Sequence, residues 1–236
     1  RRQPLLVAVQ PGRDEGPGPS SASWRSCCNH GGDIAMTKPC RVWAIRFADG
    51  YVGAVASNWK QYSALDYVNL NNKSLLLSWQ LPELKWDRKK KTGKTPDAST
   101  LYFPGVFCFR RSIATALFGS SAKDLEFLPA NMEGEEWVLL NCLRSTNAID
   151  FNSSDVLSID DMPGGPPRIV DVRWMNVTDP VAYELEIFCI RSSPLARLFC
   201  TDVFVDRAVS LGLRGLDFKH VGYIVADASH AVPKPP

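Results

Sequence analysis

Long hydrophobic runs are missing from this 236-residue chain, whose longest apolar stretches hold about five residues, as from Leu5 to Val9. A membrane-spanning helix needs roughly 20, so no span is expected. Histidine is scarce: there are three, and only His220 and His230 follow Met36. G-x-S-x-G, H-E-x-x-H and G-x-G-x-x-G are all absent, which removes sequence support for a nucleophile elbow, a zinc protease and a dinucleotide site. Gly93-Lys94-Thr95 has the ending of a phosphate-binding loop, but Arg88 stands where that motif needs its first glycine. The seven cysteines contain no C-x-x-C pair, and several lie in apolar stretches such as Val106-Phe107-Cys108-Phe109 and Ile187-Phe188-Cys189-Ile190. They read as reduced, buried small hydrophobes of a cytoplasmic protein. No structural metal and no cofactor are expected.

What is present is an ordinary globular composition, 45% hydrophobic and 22% charged, with seven Trp, eleven Phe and six Tyr to build a core. The formal net charge of +2 conceals an asymmetry. Residues 36–104 carry 11 basic against 5 acidic side chains, and residues 105–236 carry 12 against 17. Residues 1–35 are rich in Pro, Gly and Ser without lasting periodicity, and are expected to be a non-native or disordered leader, with translation starting at Met36. Residues 36–226 read as one domain, with a basic part over 36–104 and an acidic part over 105–226. Residues 227–236, ending Pro233-Lys234-Pro235-Pro236, are expected to be a disordered tail.

Within that domain, Arg41 to Phe47 alternates as a half-buried strand. Asp49-Gly50 marks a turn after which Tyr51 to Ala56 is expected to pair back as a hairpin. Leu75-Leu76-Leu77 with Trp79 points to another short strand. Arg110 to Phe118 has the apolar spacing of a helix and ends at Gly119. Leu125 to Pro129 and Glu136 to Leu143 read as strands, joined by a hairpin turn at Glu133-Gly134. Asp150 to Asp161 and the Pro/Gly stretch around Gly164 read as loops, followed by strands over 168–174 and 182–188. Thr201 or Asp202 is expected to cap a second helix, which Gly212 ends before a strand from Gly215 to Val221. Helix, glycine and a Leu-acid-Phe strand thus occur twice. The expected class is α+β: a mainly antiparallel sheet with a few packed helices and two similar helix-turn-strand units.

Candidates for chemistry are few. His220 is expected to point away from Phe218, in a surface or hydrogen-bonded structural role. Cys200 or Cys189 with His220 would be the makings of a thiol hydrolase. Carboxylates at Glu133, Glu135, Glu136, Asp150, Asp155, Asp160 and Asp161 could supply an acid–base pair, or a solvated acidic surface. Arg88 to Lys94, near Trp79 and Trp86, is a solvated loop or a nucleic-acid contact, the second resting on one loop alone.

The order of segments Phe109-Arg110-Arg111-Ser112 into a helix, Leu125-Glu126-Phe127-Leu128-Pro129, Trp137 to Leu143, then Ala148-Ile149-Asp150 resembles the bacterial polymorphic-toxin immunity proteins of the myxobacterial type. Leu198 to Asp202 followed by Leu213-Arg214-Gly215-Leu216-Asp217-Phe218 is similar to that family's closing segment. The likeness runs from about Val106 to Val221 and departs from the pattern in the loop around Gly164. It implies a non-enzymatic cytoplasmic protein that binds and blocks a toxin encoded next door, and it supplies no catalytic residues. Phe127, Leu128, Pro129, Asn141, Gly215, Leu216 and Phe218 are its structural motif, with Pro129 expected at a strand end and Gly215 in a conformation other residues resist. Toxins of this kind often act on nucleic acid and are basic, so Glu133 to Glu136 and Asp150 to Asp161 are the expected partner surface.

Overall fold

The computed structural model describes residues 39–58, 68, 72–88, 93–101, 105–119, 124–146, 148–159, 168–179, 182, 185–190 and 197–235. Residues 1–35, Met36, Asp160, Asp161 and the Gly164 loop lie outside them.

Sequence periodicity finds the individual elements, but their proportions correct the expected class. Thirteen strands stand against two short α-helices among the described residues, so the protein is mostly β, not an α+β fold with packed helices. One sheet is built from β1 (Cys40–Phe47), β8 (Ser145–Thr146), β9 (Asp155–Ile159), β10 (Arg168–Val177), β11 (Ile187–Ile190), β12 (Leu198–Thr201) and β13 (Leu216–Ile224). Its order is β8-β11-β12-β1-β13-β10-β9. The other sheet holds β2 (Ala54–Ala56), β3 (Glu83–Trp86), β4 (Ala98–Thr100), β5 (Phe107–Arg110), β6 (Leu125–Met132) and β7 (Glu135–Cys142) in the order β2-β3-β6-β7-β5-β4.

Each sheet curls until its ends meet. In the second, Ala54 of β2 bridges Leu101 just past β4, and the buried Ser99 hydroxyl accepts the Ala54 N–H at 3.1 Å across the seam. In the first, Ile149, downstream of β8, bridges Val177 at the end of β10. Curling gives each sheet an inner core. Val42, Met175, Phe188, Phe199 and Val221 fill the first sheet; Leu84, Leu128, Met132, Trp137 and Leu139 fill the second. A third core joins the outer faces, where Ile45, Cys200 and Leu216 meet Phe109, Val138 and Leu140. The central strand β7 is therefore apolar on both faces from Trp137 to Leu140, as a doubly covered strand is expected to be.

The helices α1 (Arg111–Phe118) and α2 (Asp202–Ser210) lie in this third core. In each half a helix links two strands that flank one antiparallel strand: β5 and β6 around β7, β12 and β13 around β1. Phe118 stacks on Phe204 with centroids 5.6 Å apart, a contact worth about 1 kcal/mol beyond its buried area. Arg207 of α2 donates to Leu117 O at 2.7 Å, placing a cation at the C-terminal end of α1, and binds Glu186 through both of its terminal nitrogens.

Five local expectations are corrected. Tyr51 to Ala56 does not form a hairpin with β1; β2 pairs with β3 in the other sheet. Leu76 to Ser78 is a turn, not a strand. Residues 155–159, read as loop, form β9 against β10. Pro129 sits in the interior of β6 rather than at its end. Its carbonyl accepts the Trp79 indole N–H at 2.8 Å, so this part of β6 faces an edge that β3 reaches only from Asn131 onward, and no ladder donor is lost. The C-terminal stretch, expected to be disordered, is docked: Val232 O accepts from Trp174 and from buried Asn176, and Lys234 pairs with Asp155.

Candidate partner-binding site

Asn141, named from sequence as a motif residue, meets Glu126, which is not so named, in the fold. Glu126 and Asn141 are cross-strand partners on β6 and β7, so their side chains share a face. They lie on the same face as Leu128 and Leu139, where both are buried. A buried carboxylate needs donors, and Glu126 has three: Ser74 Oγ at 2.5 Å, the Leu75 N–H at 2.8 Å and Asn141 Nδ2 at 2.9 Å. Burial by itself would raise its pKa, but the bonds from Leu75, Ser74 and Asn141 outweigh burial and hold the carboxyl below its ordinary value. Asn141 also donates to Lys73 O, and Asn72 donates to Cys142 O at 3.0 Å.

This clamp fixes the start of a loop, residues 72–82, that runs along the outer edge of β6. Ser78 N–H closes a turn on Leu75 O at 3.0 Å. Leu75 and Trp79 pack inward on the second sheet's core, and Asn131 N–H holds Pro82 O at the far end. The residues between those anchors point outward: Leu76 is 55% exposed, Leu77 fully exposed and Leu81 54% exposed. Three outward leucines on a loop held at both ends and in the middle make a preorganised apolar surface. Sequence reading missed them because an apolar run resembles a strand. The available signal was the polar frame Asn72, Ser74, Ser78 and Pro82 around it.

The far end of the loop reaches the β6–β7 hairpin, where three of the expected acidic residues lie. Glu133 and Gly134 form its two-residue turn with positive φ at both, 50° and 91°. Glu133 pairs with Arg88, Glu135 with Arg110, and Glu136 lies 3.8 Å from Arg111. Asp150 and Asp155 belong to the other sheet: Asp150 accepts Asn152 N–H and Ser153 Oγ in a turn, and Lys234 beside Asp155 lowers that carboxyl's pKa. The structure thus places Glu133, Glu135 and Glu136 at one hairpin, Glu135 and Glu136 on opposite faces of β7 and each of the three against an arginine, and places Asp150 and Asp155 elsewhere. Asp160 and Asp161 fall outside the described residues.

The remaining candidates are also placed. Cys200 and His220 both pair with Trp43, from opposite sides of β1, which sets their backbones two strand spacings, about 9–10 Å, apart. Cys200 is fully buried and its pKa pushed well up by that burial, while the neighbouring Cys142 thiol and burial push Cys189 up. Residues two apart in a strand share a face, so His220 lies on the Phe218 side of β13, not opposite it. It is enclosed by Trp43, Trp174 and Tyr223, its Nε2 3.0 Å from Gly222 O. On the basic loop Arg88 is paired with Glu133, and residues 89–92 lie outside the described set. Its aromatic companions are engaged, Trp79 on Pro129 and Trp86 edge-on against Trp137.

Among the structural motif residues, Phe127 packs on Phe118, Leu128 is fully buried, and Leu216 and Phe218 join the third core. Gly215 has φ +103°, and a Cβ there would come 2.1 Å from Ala98 O. Among the described residues no three His, Cys, Asp or Glu side chains gather as metal ligands, and no helix is long and apolar enough to cross a membrane. No protein-family model matches the chain, and no curated protein matches it.

Proposed function

We propose that this chain is a cytoplasmic immunity protein that binds and neutralises a cognate bacterial toxin, without catalysis of its own. The observation that carries the reading is the clamped loop: Glu126 and Asn141 fix a segment whose leucines 76, 77 and 81 are exposed beside the hairpin carrying Glu133, Glu135 and Glu136. An apolar centre with a charged rim is the anatomy of a protein interface. Each leucine that becomes buried contributes about 1.5–3 kcal/mol, and the charged rim, in which Glu133, Glu135 and Glu136 face Arg88, Arg110 and Arg111, sets the partner's orientation. The sequence resemblance to immunity proteins supports the same reading, since its Leu-Glu-Phe-Leu-Pro and Leu-Asn segments supply both halves of the clamp.

The test is co-expression with the product of the adjacent open reading frame. Growth rescue and co-purification in one-to-one ratio are expected, both weakened with Leu77→Asp. A toxic neighbour that this chain neither rescues nor captures would overturn the proposal.

A further inference from the structure

One end of the first curled sheet opens into a cavity of about 440 Å³, within the range of small-molecule sites. Strand parity decides what faces it. Lys219 stands directly across from Ala44, and Arg46, two residues further along β1, shares Ala44's face. Arg197 lies two residues before the Phe199 that pairs with Ala44, so it too turns toward this mouth beside Arg46. Arg46, Arg197 and Lys219 all line the cavity, together with one carboxylate, Asp171 of β10, and the apolar Val172 and Val221.

The charges do not balance. Arg197 is ion-paired with Asp171, whose pKa that contact lowers. Arg46 and Lys219 make no ion pair or side-chain hydrogen bond among the described residues. Asp217 stands across from Arg46 in the register without forming a pair within 4 Å. Asp217 is the anion nearest to both in the register, across from Arg46 and two residues from Lys219 on the same face, but contacts neither within 4 Å, so both cations keep their donors for an anionic ligand at the mouth of a partly apolar cavity.

We propose that this mouth binds a small phosphate monoester, its dianionic head between Arg46 and Lys219 and its apolar body against Val172 and Val221. Two cations with unused donors can meet more than one oxygen of a phosphate head, which a single carboxylate supplies less well, and guanidinium offers phosphate a bidentate contact. This site is separate from the leucine loop and does not depend on the toxin-binding reading.

The experiment titrates the full chain at low salt with phenyl phosphate, inorganic phosphate and benzoate, by calorimetry and by amide chemical shifts. Phenyl phosphate is expected to bind saturably in the millimolar range or tighter, to move the amides of residues 44–46 and 219–221, and to exceed both other ligands about tenfold. The double substitution Arg46→Gln, Lys219→Gln is expected to weaken it at least about tenfold, with an unchanged unfolding midpoint because both side chains are exposed. Absence of saturable binding, affinity unchanged in the double variant, or shifts confined to another surface would overturn the proposal. Benzoate binding as tightly as phenyl phosphate would overturn the phosphate assignment.

Discussion

Replacing Glu126 is the sharpest perturbation of the loop that carries the proposed interface. Glu126→Ala strands three donors, Ser74 Oγ, Leu75 N–H and Asn141 Nδ2, at a position where the carboxylate is 6% exposed. Hydrogen bonds to a charged group contribute about 1.5–3 kcal/mol each, but removing the carboxylate also removes its burial cost of several kcal/mol, and the loop can turn its donors to water. The net expectation is a loss of about 3 kcal/mol, in the range of broken buried polar networks. Glu126→Gln keeps the shape; its carbonyl accepts from Leu75 and Asn141 while its amide donates to the Ser74 oxygen, so the expected loss is about 1 kcal/mol. The pH dependence has a definite sign. A carboxyl held below its unfolded value contributes stability that is complete above that value and lost as pH falls through the folded one. The gap between wild type and Glu126→Gln therefore narrows in acid below about pH 4.5. Urea unfolding at neutral and acid pH measures it, and hydrogen exchange at Leu75 reports the loop directly. A Glu126→Ala variant within about 0.5 kcal/mol of wild type, the usual spread of inconsequential surface changes, would refute the reasoning.

Gly215→Ala should cost about 3 kcal/mol or more, because its Cβ would collide with Ala98 O and Pro96 Cβ at a φ of +103°. Gly119→Ala, at φ +56° and ψ −143° with nothing within 4 Å, should cost about 1–3 kcal/mol from backbone strain alone, measured by urea unfolding. Asp97 is held below its ordinary pKa chiefly by the Arg214 hydrogen bond. Asp97→Asn should lose about 1–2 kcal/mol at neutral pH and show a flatter stability profile in acid than wild type, because the Asp97 contribution disappears as pH falls through its folded value. Glu133→Asn should leave the urea-unfolding free energy within about 0.5 kcal/mol of wild type. Asparagine tolerates the turn's positive φ of 50°, which offsets the loss of the exposed pair with Arg88 and of the Trp86 N–H bond at 3.3 Å.

The elements that sequence made legible are those whose pattern is local. α1 and α2 follow from 3.6-residue spacing with glycine just past the end, and β7 from an apolar run between turn signals. What local pattern does not encode is which strands meet. Asp49-Gly50 does turn, with φ +82° at Gly50, yet the chain beyond it crosses to the other sheet because β2 finds its partner in β3, about 30 residues on. The mostly β class was hidden for the same reason: closing a sheet by Ala54 with Leu101, or Ile149 with Val177, is a long-range event. β9 was masked by its flanking Ser and Asp residues, whereas an edge strand tolerates such polarity. At the site, Asn141 is legible as a motif residue but Glu126 is not, because their contact needs the β6–β7 register. Leu75 to Leu77 looked like one apolar unit; the fold buries Leu75 against Glu126's strand and turns the next two outward.

The role proposed for the clamped leucine loop is capture of a toxin. Titration calorimetry of the purified chain against the toxin of the adjacent gene, with wild type and Leu77→Asp side by side, tests it most directly. The account predicts one-to-one binding that falls at least about tenfold in the variant, the loss of one buried leucine's contribution, while the unfolding midpoint stays unchanged because Leu77 is fully exposed. Binding of equal strength by the two proteins would contradict it.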